Sequence, residues 1–118
     1  MFFHFKIICL GKLKEQAYKD LEFEFVKRMK PFAKIEVVEL PEVPYRETDN
    51  IDSVKREEAE IIRKRVNGDA IVILLEEKGL ERSSTDFATF MERLGSIGKP
   101  ITFILGSGIG LHESLKEI

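Results

Sequence analysis

The sequence predicts an α/β domain with a three-layer, mostly parallel sheet, and three observations carry that reading. Four apolar, β-rich runs recur along the chain, at Phe3–Leu10, Ile35–Leu40, Ala70–Leu75 and Ile101–Leu105. The stretches between them have helical periodicity, so strands and helices alternate as they do in parallel βαβ units. The last two runs lack a polar side, the pattern of strands covered on both faces.

Each element has its own local warrant. In the first strand Phe3, Phe5 and Ile7 alternate with His4 and Lys6; the run then turns wholly apolar and stops at Gly11. His4 falls on the polar side and reads as a surface histidine rather than a ligand. Leu13, Ala17, Leu21, Phe25 and Met29 recur every fourth residue, which predicts an amphipathic helix that packs this stripe into the core and stops near Pro31. The second strand is closed by Pro41 and Pro44, and a loop carrying Tyr45 and Arg46 runs on to Asn50. Ile51–Val66 predicts a charged helix with a weaker apolar face of Ile51, Val54, Ala59, Ile62 and Val66, ended by Asn67-Gly68-Asp69. Ala70–Leu75 has no alternation and is expected to be the central strand. Ser83 or Ser84 caps the third helix, with Asp86 in its first turn and Phe87, Phe90, Met91 and Leu94 on its buried face. Leu111–Ile118 has a weak helical pattern after the last strand.

With 118 residues and no internal repeat or linker, residues 1–118 form one domain with room for a real core. The net charge of −2 argues against nucleic-acid binding through bulk charge. Charge is uneven, however: Met1–Lys34 holds eight Lys/Arg against four Asp/Glu, a distribution that reads first as a solvated helix surface. Cys9 has no partner for an internal disulfide, and a buried thiol fits a reducing, cytoplasmic setting. No apolar stretch is long enough to span a bilayer, and MFFHFKIICLG reads as a strand because Lys6 interrupts it and no cleavage site follows.

Chemistry concentrates in one place. The strand Ile101–Leu105 runs directly into Gly106-Ser107-Gly108-Ile109-Gly110. Glycine lets backbone approach a ligand closely, and such turns lie at the carboxyl ends of parallel strands, where ligands bind. A tight strand-to-helix connection with no ligand is the alternative. The turn follows the wrong strand for a dinucleotide fingerprint, and no P-loop or zinc spacing is present. His112 stands near the turn without a defensible Ser/His/Asp arrangement. Glu76 and Glu77 end the third strand, but adjacent side chains diverge in extended chain, so a solvated turn is preferred to an acid–base pair. On these residues alone no reaction is assigned.

The segments ICLGKLKEQAYKDLEFEFVKRMKPFAKIEVVELPE, VILLEEKG, SSTDFATFMERL and GKPITFILGSGIGLHESL, in this order and spacing, resemble the ribosomal RNA large-subunit methyltransferase H family of the SPOUT, or α/β-knot, methyltransferases. The resemblance covers essentially the whole chain. It implies a cytoplasmic homodimer that transfers a methyl group from S-adenosylmethionine to N3 of a pseudouridine in 23S rRNA within the assembled ribosome, with no metal and no membrane. Leu75 matches the family's cofactor-touching leucine. Gly106 matches the first of two adjacent glycines; Ser107 replaces the second, and Gly108 follows. Family members continue with a strand, a serine- and leucine-rich loop and a long basic helix, which thread to form a trefoil knot. The expectation is therefore a SPOUT-type domain cut short at its C-terminus, in which the last two βα connections form one wall of the cofactor pocket. A non-catalytic α/β remnant or protein-interaction module, and a nucleotide-binding protein of another family, are the competing readings.

Overall fold

The computed structural model describes residues 1–117. Four parallel strands, β1 (Phe3–Leu10), β2 (Ala33–Leu40), β3 (Ile71–Leu75) and β4 (Ile101–Leu105), form one sheet in the order β2-β1-β4-β3. Helices α1 (Gln16–Met29), α2 (Ile51–Arg63) and α3 (Ser84–Gly95) connect them, and a 3₁₀ turn, Glu113–Glu117, follows β4. The expected alternation and the three-layer α/β architecture are therefore present. The helical pattern over Leu111–Ile118 becomes that shorter 3₁₀ turn, and Ile118 lies outside the described residues.

β3 is not central. It pairs only with β4 among the described residues, and β1 and β4 occupy the middle of the sheet. An unbroken apolar run reports that both faces of a strand are covered. It carries no information about neighbours in the hydrogen-bonding direction, and Ile71 to Leu74 are accordingly only half-buried.

Right-handed crossovers in this order send α1 and α3 to one face and α2 to the other. Side chains bear this out. Ile8, Leu10, Val38, Leu40 and Ile104 share one face, on which Ala59 and Ile62 of α2 pack together with Leu111 and Leu115. Lys6 lies on this face too; its ammonium donates to Arg65 O at 2.9 Å, beyond the C-terminal end of α2, where a cation is favoured. On the opposite face Phe103 bridges β1 and α3, with ring centroids 5.5 Å from Phe5 and 6.5 Å from Phe87.

That second face is the looser one. No residue of α1 is buried; Leu21 is 52% exposed and Phe25 58%. Its four-residue stripe, expected in the core, stands off the sheet across a cavity of about 510 Å³ that Ile7, Val37, Phe25 and Met29 help to line. Leu13 lies outside the helix altogether. In α3 only Met91 is buried, while Phe87 is 38% exposed, so the expected buried face is partly open. Helix starts follow the sequence more closely than helix ends: α2 begins at Ile51 as expected but stops at Arg63, short of the expected Val66. Asn50 accepts from Ser53 N at 3.2 Å to cap α2, and Ser83 accepts from Asp86 N at 3.0 Å to cap α3.

Candidate functional site

The register Leu75↔Leu105 ends β3 and β4 side by side, so the connections that leave them adjoin. Between them lies a hollow of about 310 Å³, lined by Leu75, Glu76 and Glu77 on one side and by Leu105 and residues 106–111 on the other. Leu75, Gly106, Ser107 and Gly108, the residues singled out from the sequence, thus line one hollow. Leu75 and Leu105 give it an apolar floor; they are 45% and 36% exposed.

The glycine turn has a different reason for each glycine. A Cβ on Gly106 would lie 2.9 Å from Gly110 C and 3.0 Å from the Leu111 side chain, so the turn closes on itself only if that position is bare. Gly110 has φ +85°, a conformation that favours glycine, and its N–H donates to Ser107 O at 2.9 Å. Neither reason holds at Gly108. Its φ is not positive, and an added Cβ would meet nothing within 4 Å. A bare backbone facing open space at the rim of a hollow is what close approach by a ligand requires.

A buried carboxyl group stands behind the turn. Glu58 of α2 is 2% exposed, and its two oxygens are both used: Ser107 Oγ donates to Oε1 at 2.9 Å and Val43 N donates to Oε2 at 3.1 Å. Glu58 was not among the residues expected to matter. The available signal was its spacing, since Val54, Glu58 and Ile62 recur every fourth residue and place a carboxyl group on the apolar side of α2.

The other candidates separate. Glu76 Oε1 lies 3.5 Å from Lys116 Nζ, whereas Glu77 is exposed, so the two adjacent acids do not converge. His112 turns to α2. Its Nδ1 accepts from Ser114 N at 3.1 Å, which leaves the ring proton on Nε2, 3.3 Å from Asp52 Oδ1. Cys9, expected to be buried, is half-buried on the α1 side, where its Sγ lies 3.6 Å from Val38 O. Desolvation, then the nearby Glu39 and Glu22 carboxyls, push its thiol above the usual range. The described residues hold no cluster of three or more His, Cys, Asp or Glu placed to bind a metal, and no helix among them is long and apolar enough to cross a membrane.

Residues 3–118 match the family described as "Predicted SPOUT methyltransferase". Among curated proteins, the chain is 36% identical over 116 residues to the ribosomal RNA large subunit methyltransferase H of Lactobacillus delbrueckii subsp. bulgaricus, covering 95% of this chain and 73% of that protein. It is 38% identical to the protein of the same name from Lactiplantibacillus plantarum, covering 95% and 74%, and 32% identical to that of Caldicellulosiruptor saccharolyticus, covering 95% and 73%. A match of this extent, on a parallel α/β sheet whose last two connections enclose a hollow, places the chain in the SPOUT methyltransferase family.

Proposed function

We propose that this chain is an S-adenosylmethionine-dependent methyltransferase of large-subunit ribosomal RNA, acting as a homodimer in the cytoplasm on N3 of a pseudouridine in 23S rRNA within the ribosome. One observation carries the reading. The turns after β3 and β4 adjoin around a hollow in which Leu75 offers an apolar contact and the turn at Gly106, Ser107 and Gly108 offers close backbone approach. The names of the relatives supply the substrate class.

When bound there, S-adenosylmethionine supplies a methyl group made electrophilic by its sulfonium. The protein's share is placement. Leu75 and Leu105 fit the apolar parts of such a ligand, and backbone groups of the glycine turn fit its polar edges. N3 of the acceptor ring must lose its proton to become a good nucleophile, so the proton leaves to solvent or to a base as the N–C bond forms and the S–C bond breaks. Glu76 and Glu77 both line the hollow, and the ion pair of Glu76 with Lys116 favours a structural role for that residue.

The test is methyl transfer from labelled S-adenosylmethionine to ribosomes that lack the modification, with S-adenosylhomocysteine binding measured by calorimetry. Label at N3 of a 23S pseudouridine supports the reading; a protein that neither binds the cofactor product nor transfers label overturns it. A non-catalytic interaction module has one observation in its favour, the open apolar surface of α1 at Leu21, Phe23 and Phe25. Measurable transfer rules it out.

A further inference from the structure

We infer that Glu58 is a positioning residue: through Ser107 it fixes the shape of the glycine turn and thereby sets the affinity of the hollow for its cofactor. The inference rests on the reading of that hollow as a cofactor site. Glu58 belongs to α2, on the opposite side of the sheet from α1 and α3, yet its carboxyl group ties together three segments. They are its own helix, the β2–α2 connection at Val43 and the turn at Ser107. A carboxyl group only 2% exposed needs its hydrogen-bond partners, because an unpaired one bears the full cost of desolvation. The pairing is therefore strong in both directions: the turn satisfies Glu58, and Glu58 holds the turn.

The geometry of the turn shows what is held. Gly106 packs against Gly110 and Leu111 with no room for a side chain, and Gly110 N–H closes back on Ser107 O at 2.9 Å. Ser107 is thus the only residue of 106–110 with a hydrogen-bonding side chain, and that hydroxyl is committed to α2. Its backbone meanwhile closes the turn that lines the hollow. Where the resemblance leads one to expect a second glycine, this chain has a side chain that anchors the loop to the core. Gly108, which like Gly110 has open space where a side chain would sit, comes directly after the anchor. A turn held at Ser107 presents residues 108 and 109 in one arrangement, which lowers the ordering cost of binding.

The experiment uses the full chain and four variants, Ser107→Ala, Ser107→Thr, Glu58→Ala and Glu58→Gln. Two readouts are taken: S-adenosylhomocysteine affinity by calorimetry, and hydrogen exchange at the Gly110 amide in the ligand-free protein. Ser107→Ala is expected to weaken binding about tenfold and to speed Gly110 exchange about tenfold, the loss of one hydrogen bond to a carboxyl group. Ser107→Thr keeps the hydroxyl, and Glu58→Gln can keep both contacts with the donor and acceptor at Ser107 exchanged, so both stay within about threefold of the parent. Glu58→Ala should match Ser107→Ala in binding; if it does not fold, the serine pair carries the test. In steady state the KM for S-adenosylmethionine rises in Ser107→Ala while that for ribosomes stays, a split that general loss of stability does not produce. Unchanged affinity and unchanged Gly110 exchange in Ser107→Ala overturn the inference. A parent protein that binds no S-adenosylhomocysteine, with Gly110 exchange still accelerated in Ser107→Ala, overturns the cofactor reading and leaves the anchor standing.

Discussion

Helices α1 and α2 reverse the order that their sequences suggest. α1 carries the more regular apolar stripe, yet it buries no residue. α2 is dense in Glu, Lys and Arg, yet Val54, Glu58, Ala59 and Ile62 are all buried, and Ala59 and Ile62 are fully enclosed. The difference lies in what each helix meets. α2 crosses the middle of the sheet, over Ile8 and Ile104, and shares that buried cluster with Leu111 and Leu115. α1 stands over a cavity beside β1 and β2. The radius of gyration, 15.2 Å, exceeds the roughly 13.5 Å expected of a compact chain of this length, as a helix standing off the sheet would make it. Stability is thus concentrated on the α2 side, and the glycine turn is anchored to that side.

The largest expected effect is the contrast between core truncations. Ile62→Ala should cost about 2–5 kcal/mol in urea unfolding, because it empties an enclosed site. Leu21→Ala or Phe25→Ala on α1 should cost about 0.5 kcal/mol or less, as exposed substitutions do. Equal losses on the two helices would break the comparison.

Next come the two ends of the glycine turn. Gly106→Ala forces a Cβ against Gly110 and Leu111 and is expected to destabilise by about 1–3 kcal/mol. Gly108→Ala meets nothing and should leave the unfolding midpoint within about 0.5 kcal/mol of the parent, while weakening S-adenosylhomocysteine binding severalfold. A Gly108→Ala protein that binds as the parent does would show that this glycine is not approached by the ligand.

Smaller still is the capping difference. Asn50 caps α2 with its side chain, whereas Glu15 at the start of α1 makes no such bond. Asn50→Ala should cost about 1 kcal/mol, and Glu15→Asp should recover at most about 0.5 kcal/mol, both read from thermal unfolding.

The smallest effect concerns Cys9, on the α1 side of the sheet. Its thiol is raised above the ordinary 9.0 by burial and by Glu39 and Glu22. The folded state therefore holds the proton more tightly than the unfolded chain. The associated stability is complete below about pH 9 and declines as pH rises from there toward the raised value. Iodoacetamide alkylation of the native protein should show its inflection above that of the denatured protein; coincident inflections would mean that α1 shields nothing.

What the sequence determined by itself is local. β1, β4 and the start of α3 lie where the apolar runs and Ser83 put them, because strand runs and caps depend on residues within a few positions of one another. The glycine turn was legible as a possible ligand turn for the same reason; its pairing with the turn after β3 was implied only by the family resemblance. Only the tertiary structure decided which strand is central, which helix is covered and what stands behind the turn. β3 reads as a buried strand and lies at the edge, since coverage of its faces says nothing of its lateral neighbours. The stripe of α1 is a capacity to pack, and packing needs a surface at the right place. Ser107 and Glu58 are forty-nine residues apart, and their contact exists because α2 crosses the sheet and returns a carboxyl group to the end of β4. Burial and pairing are properties of distant segments brought together, and no local window contains them.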